Sequence, residues 1–195
     1  MRWTTHGEST IYASDWVGVS TVDVELPDGE RIDHHVVRVP RPAVGTVVVD
    51  AERGVLLLYR HRFITDTWGW EIPAGGVDAG EALADAAARE LREETGWAVT
   101  SPPAPIGTWH PSNGLSDQTF HAFVAHDVHH AGPPTDPAES ERIEWVPADR
   151  VARLIADGDV SDGLSLTALL LALHHGHLGP HPTFGSGSAS GSRSG

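Results

Sequence analysis

The chain has 195 residues, 13 Lys and Arg against 27 Asp and Glu, a formal net charge of −14, and no cysteine. One domain of ordinary size is expected; disulfides and thiolate metal sites are excluded, and so acidic a surface argues against a nucleic-acid partner. No apolar run approaches a bilayer span and the opening MRWTTHGEST lacks the apolar middle of a signal peptide, so a soluble cytoplasmic protein without a membrane partner is expected.

Residues 9–40 read as strands, with Pro27-Asp28-Gly29 marking a hairpin between two β-rich runs. AVGTVVVDAERGVLLLYRHR repeats the pattern: Val44 to Val49, a turn near Glu52 to Gly54, then Val55 to Tyr59. These runs are almost continuously apolar, as in strands covered on both faces. FITDTWGWEIPAGGVDAGE, rich in Gly, Trp and Pro, reads as a loop. A helix is expected from about Ala82 to Thr95, with Gly96 as its C-terminal cap. PIGTWH and TFHAFVAHDV read as strands, AGPPTDPAESE as a loop, RIEWVP as a short strand, and ADRVARLIADG and SLTALLLALHHG as closing helices. The order of strands, helix, strands and helices suits an α/β or α+β sandwich with a mixed sheet. The expected division is an N-terminal β-strand region over 1–40, the main domain over 41–178, and a flexible Gly/Ser-rich tail over 179–195.

The helix ends in Arg89-Glu90-Leu91-Arg92-Glu93-Glu94. With Glu90 set at 0° and about 100° per residue, Glu94 falls at roughly 40° and Glu93 at roughly −60°. The three carboxylates therefore share a patch along the edge of the stripe formed by Leu83, Ala84, Ala87, Ala88 and Leu91. Like charges at these spacings cost roughly 0.2–0.5 kcal/mol per pair, and acids near a helix C-terminus oppose its dipole. A divalent cation would turn the repulsion into attraction, and carboxylates are hard ligands suited to Mg²⁺ or Mn²⁺. A solvated charged face partnered by Arg89 and Arg92 would look the same on these residues alone.

The wider stretch narrows the reading. Gly75, five residues, Glu81, seven residues, then Arg89-Glu90-Leu91-x-Glu93-Glu94-x-Gly96-Trp97 resembles the Nudix box at every fixed position. The resemblance implies an α/β/α sandwich with a mixed sheet, here with extra N-terminal antiparallel strands. It also implies divalent-metal hydrolysis of a nucleoside diphosphate linked to another group. By position, Glu90 and Glu94 match the family's metal ligands, Glu93 a third ligand or water-ordering group, and Arg89 the arginine that orients the box glutamates. Glu81 reads first as structural, because Asp78-x-x-Glu81 is also like a capping box.

The flanks resemble the branch of ADP-ribose pyrophosphatases and related nucleotide-sugar hydrolases. EIPAGG is similar to that branch's ELPAG run, whose alanine carbonyl, here that of Ala74, joins the metal shell. LYRHR makes Arg60 and Arg62 phosphate-binding candidates. Pro111 stands near the branch's marker proline, although Pro-Ser-Asn-Gly replaces the usual Ser-Pro-Gly, and Asp117 and Gln118 stand where a glutamate often follows. A late-loop carboxylate commonly acts on water, which selects Glu139 or Glu141, with Glu144 facing outward. Trp70, with Trp68 and Trp109, is a candidate wall for a base pocket or a core residue. The N-terminal strands and Trp16 imply a homodimer. The histidines of HDVHH and LHHGHLGPHP raise a transition-metal site, but exposed, non-catalytic histidines are the reading adopted. ADP-ribose leads as substrate over other nucleoside diphosphate sugars. A (d)NTP or dinucleotide housecleaning hydrolase and a non-catalytic nucleotide-sugar sensor are the alternatives.

Overall fold

The computed structural model describes residues 1–135 and 137–179, so the tail from residue 180 onward lies outside the described residues. Three antiparallel strands come first: β1 (Thr4–Ala13), β2 (Gly18–Glu25) and β3 (Arg31–Arg38), paired in that order. β1 begins earlier than the sequence pattern suggested, and all ten of its residues are exposed. Strand β2 instead buries Ser20, Val22 and Val24 on one face. The sheet joins the rest of the molecule through Val37, whose N–H donates to the Leu115 carbonyl (2.8 Å), and through Arg38, which pairs with Asp117 (3.2 Å).

The central sheet has seven strands. It contains β4 (Ala43–Asp50), β5 (Gly54–Arg62), β6 (Thr67–Glu71) and β7 (Ala74–Gly76). After α1 (Leu83–Thr95) and the short β8 (Trp97–Val99) come β9 (Ala104–Trp109) and β10 (Phe120–Ala125). The short β11 (Val128–His130) pairs with β8, and β12 (Arg142–Val146) closes the sheet before α2 (Ala148–Asp157) and α3 (Gly163–His174). The order is β12-β5-β4-β10-β9, with β6 added on β5 and β7 on β4. Its β4–β10 pair is parallel and its other pairs are antiparallel, the mixed sheet the sequence implied. The stretch read as a loop holds β6 and β7. Gly69 and Pro73 interrupt its apolar period, so only tertiary pairing with β5 and β4 reveals the strands.

Strand β4 shows why its sequence is apolar without alternation. Val44 packs with Ala86 and Ala87 of α1, and Val48 with Leu91. Between them the Thr46 hydroxyl donates to the Ala87 carbonyl (3.2 Å). Val47 and Val49 point the other way, into a cluster with Ala168, Leu169 and Ala172 of α3. The two faces follow the strand period of two, and helices cover both. Each buried valine contributes about 1.5–3 kcal/mol relative to an exposed one. That is several times the worth of any helix-surface charge pair, so α1 keeps its acids because its other face is bound so firmly. Among the described residues no helix is long and apolar enough to cross a membrane.

Helix α1 starts without a side-chain cap, and its organisation comes from the other end. Gly96 adopts φ 74°, and its N–H donates to the Arg92 carbonyl (2.9 Å). The loop after β11 completes the cap: Ala131 N–H donates to the Gly96 carbonyl and Thr135 N–H to the Glu93 carbonyl, each at 2.8 Å. A Cβ on residue 96 would stand 2.0 Å from the Gly132 carbonyl oxygen. Gly96→Ala therefore combines an unfavourable φ, about 1–3 kcal/mol, with a backbone clash. Urea unfolding should show a lower midpoint with an unchanged slope; an unchanged midpoint would mean that the loop, not the glycine, sets the cap.

Candidate active site

The acid face of α1 is organised by Arg89. A guanidinium carries five N–H donors, and all five are used. Nε and Nη2 donate to the two Glu81 oxygens (2.9 Å each), Nη1 to Glu90 (2.7 Å) and Glu93 (3.0 Å), and Nη2 also to the Gly76 carbonyl (2.9 Å). Glu81 closes the arrangement by accepting the Asp78 N–H (3.0 Å). Arg89 holds the Glu81 carboxyl well down, at about 2, and the Asp78 N–H adds to the effect. Glu81 is thus a structural acid in this arrangement, tying the turn before α1 to the arginine.

Glu90 lies against the backbone of β7. A Cβ on Gly75 would fall 2.2 Å from the Glu90 carboxyl carbon, so a bare Cα is required for the carboxylate to occupy that place. Burial pushes the Glu90 pKa up, against the pull of Arg89.

Glu94 was expected at the edge of the buried stripe, but it is inside, at 6% exposure. The strand segment β6–β7 folds over it. Ala74 N–H donates to one carboxylate oxygen (2.8 Å) and Arg60 Nη2 to the other (2.9 Å). Burial still dominates and raises its pKa to about 7. Beyond Arg60 lies Glu71, also buried, 3.8 Å away, which takes a bidentate pair from Arg62 at 2.9 and 2.5 Å. Two carboxylates and two guanidiniums thus alternate in one connected chain. Glu71 was missed in the sequence; the available signal was an acid inside an otherwise apolar strand, directly before Ile72 and Pro73.

Arg60 sits differently from the sequence reading, and Trp70 takes the core alternative. Arg60 is 5% exposed and faces Glu94, so in this structure it is an internal counterion and not an open phosphate ligand. Its Nε is buried without a hydrogen-bond partner. Trp70 is a core residue, 4% exposed, packed on Tyr59 and under the Arg142 guanidinium. Arg62 remains half-exposed. Pro111 opens an exposed turn over 111–115; Asp117, beyond it, accepts the Val39 N–H (2.9 Å) and Arg38. On the late loop both glutamates are exposed. The Glu139 charge adds to the upward push on Glu90 and Glu94, whereas Glu141 N–H extends the β12–β5 ladder by donating to the Tyr59 carbonyl (2.9 Å). A cleft of about 360 Å³ ends at Arg89 and Glu90; Trp16, Arg41 and Gln118 line its far side.

The donor set suits a hard divalent cation. Glu90 and Glu94 are carboxylates that burial disfavours as anions, which a cation would reverse. Among the described residues no three His, Asp or Glu side chains converge as a finished ligand set; Glu90 and Glu94 are turned towards Arg89 and Arg60 instead. Glu90, Glu93, Glu94 and the Ala74 carbonyl are the groups that would hold a metal.

Comparison with known proteins gives the family. A family model described as NUDIX domain matches residues 39–166. The chain is 38% identical over 182 residues to the CMP-5'-(N-acetyl-N-hydroxy-3-aminopropyl)phosphonate hydrolase of Streptomyces rubellomurinus, covering 93% of this chain and 87% of that one. It is 27% identical over 167 residues to the ADP-ribose pyrophosphatase of Bacillus subtilis, covering 85% and 89%. The crystal structure of an ADP compounds hydrolase matches with a TM-score of 0.79 over 90% of this chain and 94% of that one, at 22% identity, a likeness of fold alone. With the box from Gly75 to Gly96 laid on the sheet and helix that such a match requires, the chain belongs to the NUDIX domain family and is a Nudix hydrolase.

Proposed function

We propose that this enzyme hydrolyses the phosphoanhydride joining a nucleoside 5′-monophosphate to a second phosphorus, using Mg²⁺ or Mn²⁺. ADP-ribose or a related nucleoside diphosphate sugar is the leading substrate. The observation that carries the reading is the pairing of Glu90, seated on the bare Cα of Gly75, with Glu94, fixed by the Ala74 N–H. A divalent cation bound there would neutralise pyrophosphate oxygens and acidify a water. Arg89 keeps Glu90 and Glu93 aimed at one face, so little reorganisation is needed as charge develops. Glu139 orients the attacking water and takes its proton, and the half-exposed Arg62 meets a phosphate oxygen. The cleft beside Trp16 and Arg41 receives the nucleotide.

The likeness to the phosphonate hydrolase, which extends over 93% of the chain, favours a second reading in which the second phosphorus is a phosphonate and the nucleotide is CMP. The chemistry at the anhydride is the same. Both readings predict release of a nucleoside monophosphate only with added metal. The test compares kcat/KM for ADP-ribose, GDP-mannose, a CMP-phosphonate anhydride and dGTP at matched Mg²⁺. A tenfold preference for dGTP, about 1.4 kcal/mol, would overturn both. In the same assay Glu139→Gln should lower kcat by at least about 10²-fold with KM little changed, while Glu141→Gln stays near wild type. The reverse result would move the water-handling role to Glu141.

Glu94 makes the metal-free protein sensitive to pH. Its folded pKa of about 7 lies above the ordinary 4.5, so the folded state binds the extra proton and stability rises as pH falls through that window. Between pH 8 and pH 6 in chelator the gain should be about 1 kcal/mol. The difference between wild type and Glu94→Gln isolates it from histidines, His121 and His177 among them, whose lowered pKa values act in the opposite direction. Equal pH slopes in the two proteins would remove Glu94 as the cause.

We also infer a homodimer built on the N-terminal sheet. β1 is exposed along its whole length, and Trp3, Ile11, Tyr12 and Trp16 are more than half exposed around it. Such an apolar edge invites a second copy. Sedimentation at micromolar concentration should give twice 20.8 kDa; a species of one chain's mass would refute it.

A further inference from the structure

The end of the sheet away from the box holds a pair of histidines with no part in the proposed reaction. Strand β7, next to Glu94, pairs with Ala43 to Gly45 at the start of β4. The parallel strand β10 leaves the same sheet beside Val48, where Ala125 is the last paired residue, and His126 follows at once. Helix α3 ends nearby in a Schellman turn. Gly176 N–H donates to the Leu173 carbonyl (3.0 Å) and His177 N–H to the Ala172 carbonyl (2.9 Å). The next residue, Leu178, is 7% exposed and anchors the turn in the main core. His126 and His177 are therefore each held by a neighbour fixed in the core, and they meet with Nε2 to Nδ1 at 3.2 Å.

That distance also suits a bound cation. Two imidazole nitrogens at about 2.0–2.1 Å from one tetrahedral ion stand roughly 3.3 Å apart. His175 is exposed, and its ring centre lies 6.1 Å from that of His177, close enough to turn towards the pair. Asp50, Glu52, Arg53 and Asp127 line a surface hollow with His126; Asp50 is paired with Arg53 (2.7 Å), which leaves Glu52 and Asp127 to favour a cation. Imidazole favours the Zn²⁺, Ni²⁺ and Cu²⁺ class, whereas the box offers hard oxygen donors suited to Mg²⁺.

We propose that His126 and His177 form a second cation site, for a transition-metal dication, completed by water and His175. The proposal takes up the transition-metal alternative that the histidine-rich segments raised in the sequence, and leaves these histidines non-catalytic. A cation there would join the exit of α3 to the end of β10 and stabilise the fold by mass action. The test is calorimetric titration with Ni²⁺, in saturating Mg²⁺, of the full chain and of a Glu90→Gln/Glu94→Gln variant that lacks the carboxylate site; the histidine-site signal is the one common to both. One Ni²⁺ per chain is expected, together with a higher Tm. His126→Ala and His177→Ala should each weaken binding by at least about tenfold and abolish the Tm rise, while His129→Ala, a neighbouring exposed histidine, leaves both intact. No binding by the wild type, binding unchanged in either pair variant, or an equal loss in His129→Ala would overturn the proposal.

Discussion

Five hydrogen bonds from one guanidinium hold the acid face of α1 together. Without Arg89 the box would be a run of like charges at the end of a helix whose dipole opposes them. With it, Glu81, Glu90, Glu93 and the Gly76 carbonyl share one donor, so the loop before the helix and the last turns of the helix are fixed to each other. A lysine could not do this, because an ammonium offers three donors and no planar fork. The arrangement needs α1 pressed firmly on the sheet, and the apolar contacts of Val44, Val48 and Leu91 supply that pressure.

A second network lies beneath the first. Glu94, Arg60, Glu71 and Arg62 run from the buried floor of the site to the surface. Buried ion pairs seldom repay the loss of water, and Arg60 Nε lacks even a hydrogen bond. Such a poor arrangement for stability makes sense where the floor must accept a change of charge. Glu94 is held strongly enough to keep its place and weakly enough that its proton is easily bound near neutrality. Polar groups that break local rules in this way are the usual mark of a working site.

The sequence disclosed the mixed α/β fold and the spacing of the box acids, but not the place of every element and side chain. Glycines and acids at fixed spacings on one helix can be read without tertiary knowledge, and so could the valine-rich strands that helices cover on both faces. Strands β6 and β7 could not be read, because Gly69 and Pro73 mask a short apolar period and the pairing partners lie elsewhere in the chain. Arg60 was misplaced for a related reason: a residue type suited to phosphate contact says nothing about which face of its strand is covered. The depth of Glu94 was hidden too, since a helical wheel places it beside the apolar stripe but does not include the segment that folds over it. The meeting of His126 with His177 depends on a contact across 51 positions, beyond any local pattern.

The amides of Ala131 and Thr135 close the end of α1 by bonding to Gly96 and Glu93. The same loop runs on to Glu139. Whatever loosens this loop must also break two bonds at the end of the helix that carries the box, so helix end and loop share one local stability.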